Sequence, residues 1–178
     1  RENSVRSAVF SHETLTGLSE TFVRAPMLTA PPVDWWNARL ARRFDHVVAT
    51  TAFAAREFQR IGASNITRVP LGVDLTEFHP AKYDQTLRTN LLGDNDILLM
   101  HCGRLSPEKR AERSIETAIE LARRGRRVRL IIAGDGPSRD SLQRLAVGHP
   151  IGFLGFVTER DVLARLLASA DVVLAPGP

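Results

Sequence analysis

Short apolar blocks alternate with stretches of helical spacing through the second half of the chain. Residues 97–102, 128–133, 151–154 and 172–175 are apolar blocks of strand length. Between the first two, Ile115, Ala118, Ile119 and Ala122 recur at helical intervals within 111–124, and Gly125 follows as a stop. Residues 138–147 read as a second helix with Leu142 and Leu145 inward. Thr158, with Asp161 three residues on, is placed to cap a third helix over 160–168. Pro176-Gly177-Pro178 stops the last block. The blocks are apolar rather than alternating, so both faces of each strand should be buried. That pattern predicts an α/β domain, a parallel sheet with helices on both sides. Right-handed crossovers put the loops that follow the strands on one edge, where ligands bind.

The first half is less regular. Strands are expected over 5–10, 45–50 and 66–69, and a helix over 51–61 ended by Gly62. Pro26 and Pro31-Pro32 should break the chain, with Asp34 capping a helix to Phe44 that turns Trp36, Leu40 and Phe44 inward. The turn-rich stretch 70–80 reads as a domain boundary, which we place between residues 1–75 and 76–178. The polar stretch 81–96 offers few apolar anchors.

Composition narrows the function classes. Hydrophobic residues make up 43% and charged residues 25%, the balance of a folded globular chain. No apolar run approaches the roughly 18 residues of a membrane span, and no signal segment is visible. The single cysteine, Cys102, leaves no disulfide framework or cysteine-based zinc site, and no histidine cluster suggests a metal. Of 24 basic residues only Lys82 and Lys109 are lysine, which leaves 22 arginines and a net charge of +4. The arginines cluster only at 39–43 and 123–129, and aromatics are few and scattered, which argues against nucleic acid as the main ligand. Trp35-Trp36 with Arg39, Arg42 and Arg43 would suit a helix touching a membrane surface. The plainer alternative packs Trp36 in the core.

Candidate chemistry lies at the strand ends. Gly103-Arg104-Leu105-Ser106-Pro107-Glu108-Lys109 joins an expected strand to a helix, where backbone N–H groups and the helix dipole meet anions. Gly103 permits close approach, Arg104 can fork onto phosphate oxygens, and Lys109 adds a point charge. Spacing alone is equally compatible with an ordinary loop. Gly134-Asp135-Gly136-Pro137 and Leu154-Gly155-Phe156-Val157 close the next two strands on the same edge. His12 follows the first strand and could act as a base or bind a hydroxyl. His101, inside an apolar block, reads as a satisfied core histidine.

Five motifs occur in a familiar order: Leu71-Gly72-Val73-Asp74 with Phe78-His79-Pro80, then 103–109, Ala-Gly-Asp-Gly-Pro at 133–137, Phe-Leu-Gly-Phe-Val at 153–157 and Ala-Asp-Val-Val-Leu-Ala-Pro at 170–176. In these the chain resembles the group 1, family four retaining glycosyltransferases of the GT-B fold, above all the actinobacterial GDP-mannose-dependent and phosphatidylinositol α-mannosyltransferases. The resemblance implies two Rossmann-like doubly wound domains, each incomplete here. It implies transfer of a hexosyl unit, mannose from GDP-mannose, to an acceptor hydroxyl with retention and without a metal or other cofactor. Arg104 and Lys109 would bind the donor diphosphate, with Gly103 beside them. Gly134, Asp135 and Gly136 would line the nucleotide, Phe156 and Val157 would touch the base, and His12 would lie near the transferred sugar. The acceptor would be lipid-linked or a small molecule, and the location cytoplasmic or peripheral at the inner membrane face. The family's glycine-rich loop and its Glu-x7-Glu motif have no counterpart between Arg1 and Pro178, so the 178 residues alone should not be a complete catalyst and each half should expose apolar surface. A nucleotide-sugar epimerase of the same fold and a non-catalytic nucleotide-binding module are the rival readings.

Overall fold

The computed structural model describes residues 6–12, 14–17 and 26–177. Its contacts divide the chain into two units, Arg1–Gly72 and Val73–Pro178.

In the second unit four parallel strands lie in the order β6-β5-β4-β7. They are β4 (Ile97–Cys102), β5 (Val128–Ala133), β6 (Ile151–Gly155) and β7 (Val172–Leu174). The helices between them are α4 (Ala111–Arg123), α5 (Arg139–Leu145) and α6 (Arg160–Ser169), and α3 (Gln85–Leu92) precedes β4. Helices cover both faces. Leu105, Ile115 and Leu142 pack with Leu99, Leu130 and Ile132 on one side. Leu87, Leu91, Val162 and Leu166 pack with Met100 and Ala133 on the other. Successive strand residues point to opposite faces, so an unbroken apolar strand feeds both layers.

The structure departs from the pattern at several elements. Helix α3 forms within the stretch read as poorly anchored, because Asp84 caps it through Leu87 N–H at 2.9 Å and Ser169 holds the Asp84 N–H at 3.0 Å. Leu145 is exposed; α5 is only seven residues long, and Leu142 and Ala146 fill its inner face. Helix α6 starts after Glu159 with no side-chain cap, not from Thr158.

The first unit holds a parallel three-stranded sheet, β1 (Ala8–Ser11), β2 (His46–Ala49) and β3 (Ile66–Arg68), in that order. Helices α1 (Pro26–Arg43) and α2 (Ala52–Arg60) accompany it. Helix α1 runs through Pro31 and Pro32 instead of starting at Asp34. Proline's fixed φ is helical, so each ring costs one hydrogen bond and crowding rather than the whole helix. Tertiary ties hold the helix: Asp34 pairs with Arg60 of α2, and the buried Asn37 amide donates to Glu57 at 3.2 Å. Asn37 therefore takes the inward place expected for Trp36, which is 46% exposed. Val5 lies outside the described residues, as does Glu13.

Candidate functional site

Register aligns three strand ends in the second unit. Cys102 is opposite Ala133, and Ala133 is opposite Gly155. The chain leaves the sheet from neighbouring strands about 4.8 Å apart. The loops after β4, β5 and β6 therefore begin side by side. They enclose a cavity of about 340 Å³ lined by Cys102, Gly103 and Arg104, by Ala133, Gly134 and Asp135, by Phe156 and Val157, and by Leu163 of α6.

The loops are locked together by backbone. Leu105 N–H donates to the Asp135 carbonyl at 3.0 Å, Ser138 N–H to the Leu105 carbonyl at 2.9 Å, and Gly134 N–H to the Gly155 carbonyl at 2.7 Å. Leu105 is fully buried among Ala111, Ile115 and Leu142. It anchors the loop, while Arg104 beside it stays exposed. Close approach explains the glycines. A Cβ on Gly134 would come within 1.9 Å of the Gly103 carbonyl oxygen, and one on Gly136 within 2.5 Å of the Leu105 carbonyl oxygen. Both serve the loop-to-loop contact itself, which motif spacing did not reveal.

Six expected residues thus meet at one cavity: Gly103, Arg104, Gly134, Asp135, Phe156 and Val157. Two expected residues do not line it. Gly136 sits against the Leu105 backbone. Lys109 ends the 3₁₀ turn Pro107–Lys109, a turn beyond the buried Leu105, and a Cβ on Gly177 would stand 3.4 Å from the Lys109 backbone. Arg110 then takes a left-handed conformation, φ 51°, and leads into α4. Sequence reasoning missed Cys102 and Leu163 as walls. The end of an apolar block marks the former, and nothing local marks the latter.

Charge in the site is uneven. Asp135 is paired with Arg139 at 2.7 Å and accepts from Gly136 N–H at 2.7 Å. Among the described residues Arg104 and Lys109 form no direct ion pair with a carboxylate side chain. Ser106 donates to Glu108, which holds that carboxyl below its usual range, and Lys109 and Arg104 both lie near enough to help lower its pKa. Burial raises the Cys102 thiol above its usual pKa. His101 is buried behind the loop, with Nδ1 3.0 Å from Ser114 Oγ. Among the described residues its Nε2 makes no hydrogen bond of good geometry, so the core histidine is only half satisfied. Burial holds its pKa below the usual value.

In the first unit Ser11, Ala49 and Arg68 align at the carboxyl ends of the strands. His12 follows β1 there and is exposed. A groove of about 310 Å³ beside α2, lined by Ala52, Ala55, Arg56, Gln59, Ile66 and Arg68, contains none of the expected residues. Among the described residues no three His, Cys, Asp or Glu side chains converge as metal ligands. No helix of the described residues is long and apolar enough to cross a membrane.

A family model described as glycosyl transferases group 1 matches residues 96–177, which contain all three loops of the cavity. Residues 96–177 are a group 1 glycosyltransferase domain. The chain is 49% identical over 180 residues to the GDP-mannose-dependent alpha-(1-6)-phosphatidylinositol dimannoside mannosyltransferase of Mycobacterium tuberculosis strain ATCC 25177 / H37Ra, covering 100% of this chain and 46% of that protein. It is 30% identical over 178 residues to a GDP-mannose-dependent alpha-mannosyltransferase of Mycolicibacterium smegmatis, covering 99% of this chain and 44% of that one. A crystal structure of Anabaena HepE in complex with UDP and glucose superposes with a TM-score of 0.71 at 24% identity, over 96% of this chain and 46% of that one. The parallel α/β fold is that of part of a two-domain GT-B glycosyltransferase. The chain spans about half the length of the curated relatives it matches.

Proposed function

We propose that the chain belongs to a GDP-mannose-dependent α-mannosyltransferase and carries the diphosphate end of its donor site. The observation that carries this reading is the cavity on the carboxyl edge of β4, β5 and β6, with Arg104 on its wall and, among the described residues, in no ion pair. A parallel sheet binds ligands at that edge. An anion there meets a guanidinium that forms no ion pair with a carboxylate side chain among the described residues. The apolar side chains of Phe156, Val157 and Leu163 offer a surface for a nucleobase, and Asp135 adds a polar acceptor.

The reaction moves the anomeric carbon of mannose from the donor phosphate oxygen to an acceptor hydroxyl oxygen. The hydroxyl proton passes to the departing phosphate oxygen and from there to solvent, and the nucleoside diphosphate is left with one extra negative charge. Arg104 stabilises that charge from the cavity wall as it develops, and Lys109, further along the same loop, adds positive potential. Retention of anomeric configuration and independence of a metal ion are part of this proposal. His12 contacts the transferred sugar. The acceptor is lipid-linked, and the enzyme works from the cytoplasm at the inner membrane face. Exposed Trp35 and Trp36, with Arg39, Arg42 and Arg43 on the same helix, support that contact.

The test is Arg104→Ala combined with Lys109→Ala in the full-length protein. Transfer from GDP-mannose should fall by about 10²-fold or more, as when one preorganised donor to a developing anion is removed. EDTA should leave the wild-type rate unchanged. Undiminished transfer by the double variant would refute the assignment of the diphosphate site.

A further inference from the structure

Glu57 is a carboxylate of α2 with only 5% of its surface exposed. A buried carboxylate is costly unless its oxygens are hydrogen-bonded. Both oxygens here reach across more than forty residues of sequence to the segment just after β1. Oε2 accepts from Leu15 N–H at 3.1 Å and Oε1 from Thr16 N–H at 2.9 Å. The Asn37 amide of α1 donates to Oε2 at 3.2 Å. The same segment is closed locally by Gly17 N–H donating to Thr14 Oγ1 at 3.1 Å, with Thr14 buried.

The other side of the segment is also fixed. Ser11 ends β1 in register with Ala49, and its carbonyl accepts from Thr50 N–H at 3.1 Å. Between these two clamps lie only residues 12–14. His12 is the first of them, and its side chain is exposed. The sheet sets where His12 begins, and Glu57 sets where the chain must go next. We infer that Glu57 is a positioning residue for His12, holding the β1 loop so that the imidazole is presented at the carboxyl edge of the first unit. The inference rests on the proposed contact of His12 with the transferred sugar.

Glu57→Gln in the full-length protein tests it. The amide is nearly isosteric but turns one acceptor oxygen into a donor that faces a backbone N–H. The expected result is a 10–100-fold loss of kcat, the order expected for a misplaced reacting group. KM for the donor should stay within about twofold, because the diphosphate that anchors the donor is assigned to the second unit. His12→Ala alone should lower kcat by about 10²-fold. The double variant should be no slower than His12→Ala, since Glu57 acts only through the histidine. Glu57→Asp, which keeps the carboxylate, should recover part of the loss, and it carries the same cycle if the glutamine variant fails to fold. Multiplying losses in the double variant would make Glu57 a general structural residue and overturn the inference. So would a Glu57→Gln enzyme with unchanged kcat beside an impaired His12→Ala. Full turnover by His12→Ala would instead overturn the role given to His12 itself.

Discussion

At the scale of single residues, the cavity depends on what is absent at Gly134. Its ideal Cβ would overlap the Gly103 carbonyl oxygen at 1.9 Å, and backbone cannot yield as a flexible side chain can. Gly134→Ala should therefore separate the β4 and β5 loops. We expect it to lower stability by about 1–3 kcal/mol, the range for strained backbone, and to weaken donor binding. Thermal melting and a GDP titration would check both. His101 sets a different constraint. Burial holds its pKa below the usual 6.5, with the Leu174 backbone and Glu112 opposing the shift. The unfolded chain then binds the proton more readily than the folded one. Stability rises with pH up to about 6.5 and is lost as pH falls below it, until the folded histidine is itself protonated. His101→Leu should remove this dependence between pH 6.5 and the folded pKa, while leaving Ser114 without its partner. Denaturant midpoints measured across that window would show a flatter profile for the variant. A profile as steep as wild type would place the titration on another group.

Elements show how much of the molecule was legible in its residues. The strands of the second unit are contiguous apolar blocks, and β4 and β5 fall where the pattern puts them because nothing else competes for those residues. Thr51 was similarly plain as the start of α2: it caps the helix by accepting from Ala54 N–H at 3.0 Å. Thr51→Ala should cost about 1 kcal/mol, read as a shift of the denaturant midpoint without a change in slope. What misled was local chemistry overruled from a distance. The prolines of α1 suggest a break, yet Asp34 and Asn37 are tied to α2. Asp84 looks like one more polar residue, yet Ser169, 85 residues on, fixes its backbone. The site divides in the same way. Gly103, Arg104 and Asp135 announce themselves by following apolar blocks. The buried Leu105 that turns the loop, and the displacement of Lys109 from the cavity wall, follow only from three-dimensional packing. Glu57 gave no signal, since a glutamate among alanines on a helix reads as solvated surface.

For the whole molecule, the net charge of +4 conceals two unlike basic clusters. Arg123 and Arg124 are paired with Glu120, and Arg127 with Asp96. Arg39, Arg42 and Arg43 are exposed, and among the described residues none forms an ion pair with an acidic side chain. Beside them on α1 are Trp35, 61% exposed, and Trp36, with ring centroids 6.4 Å apart. Indole rings and unpaired arginines together are what an anionic bilayer surface selects. Each arginine near such a surface contributes about 1 kcal/mol. Three of them amount to roughly a hundredfold in affinity. The full-length protein should therefore sediment with vesicles of phosphatidylglycerol and phosphatidylcholine and far less with phosphatidylcholine alone. Raising salt from 0.1 to 1 M shortens the Debye length from about 10 to 3 Å and should release most of the protein. Replacing Arg39, Arg42 and Arg43 by Gln should mimic high salt, whereas Trp35→Ala with Trp36→Ala should weaken binding at both salt concentrations. The melting temperature separates this from the other use of two exposed indoles. If the rings pack against protein in the full-length chain, their removal lowers the melting temperature by several degrees and leaves vesicle binding intact. That outcome would refute the membrane contact. Unchanged melting with lost vesicle binding would establish α1 as the membrane-facing element.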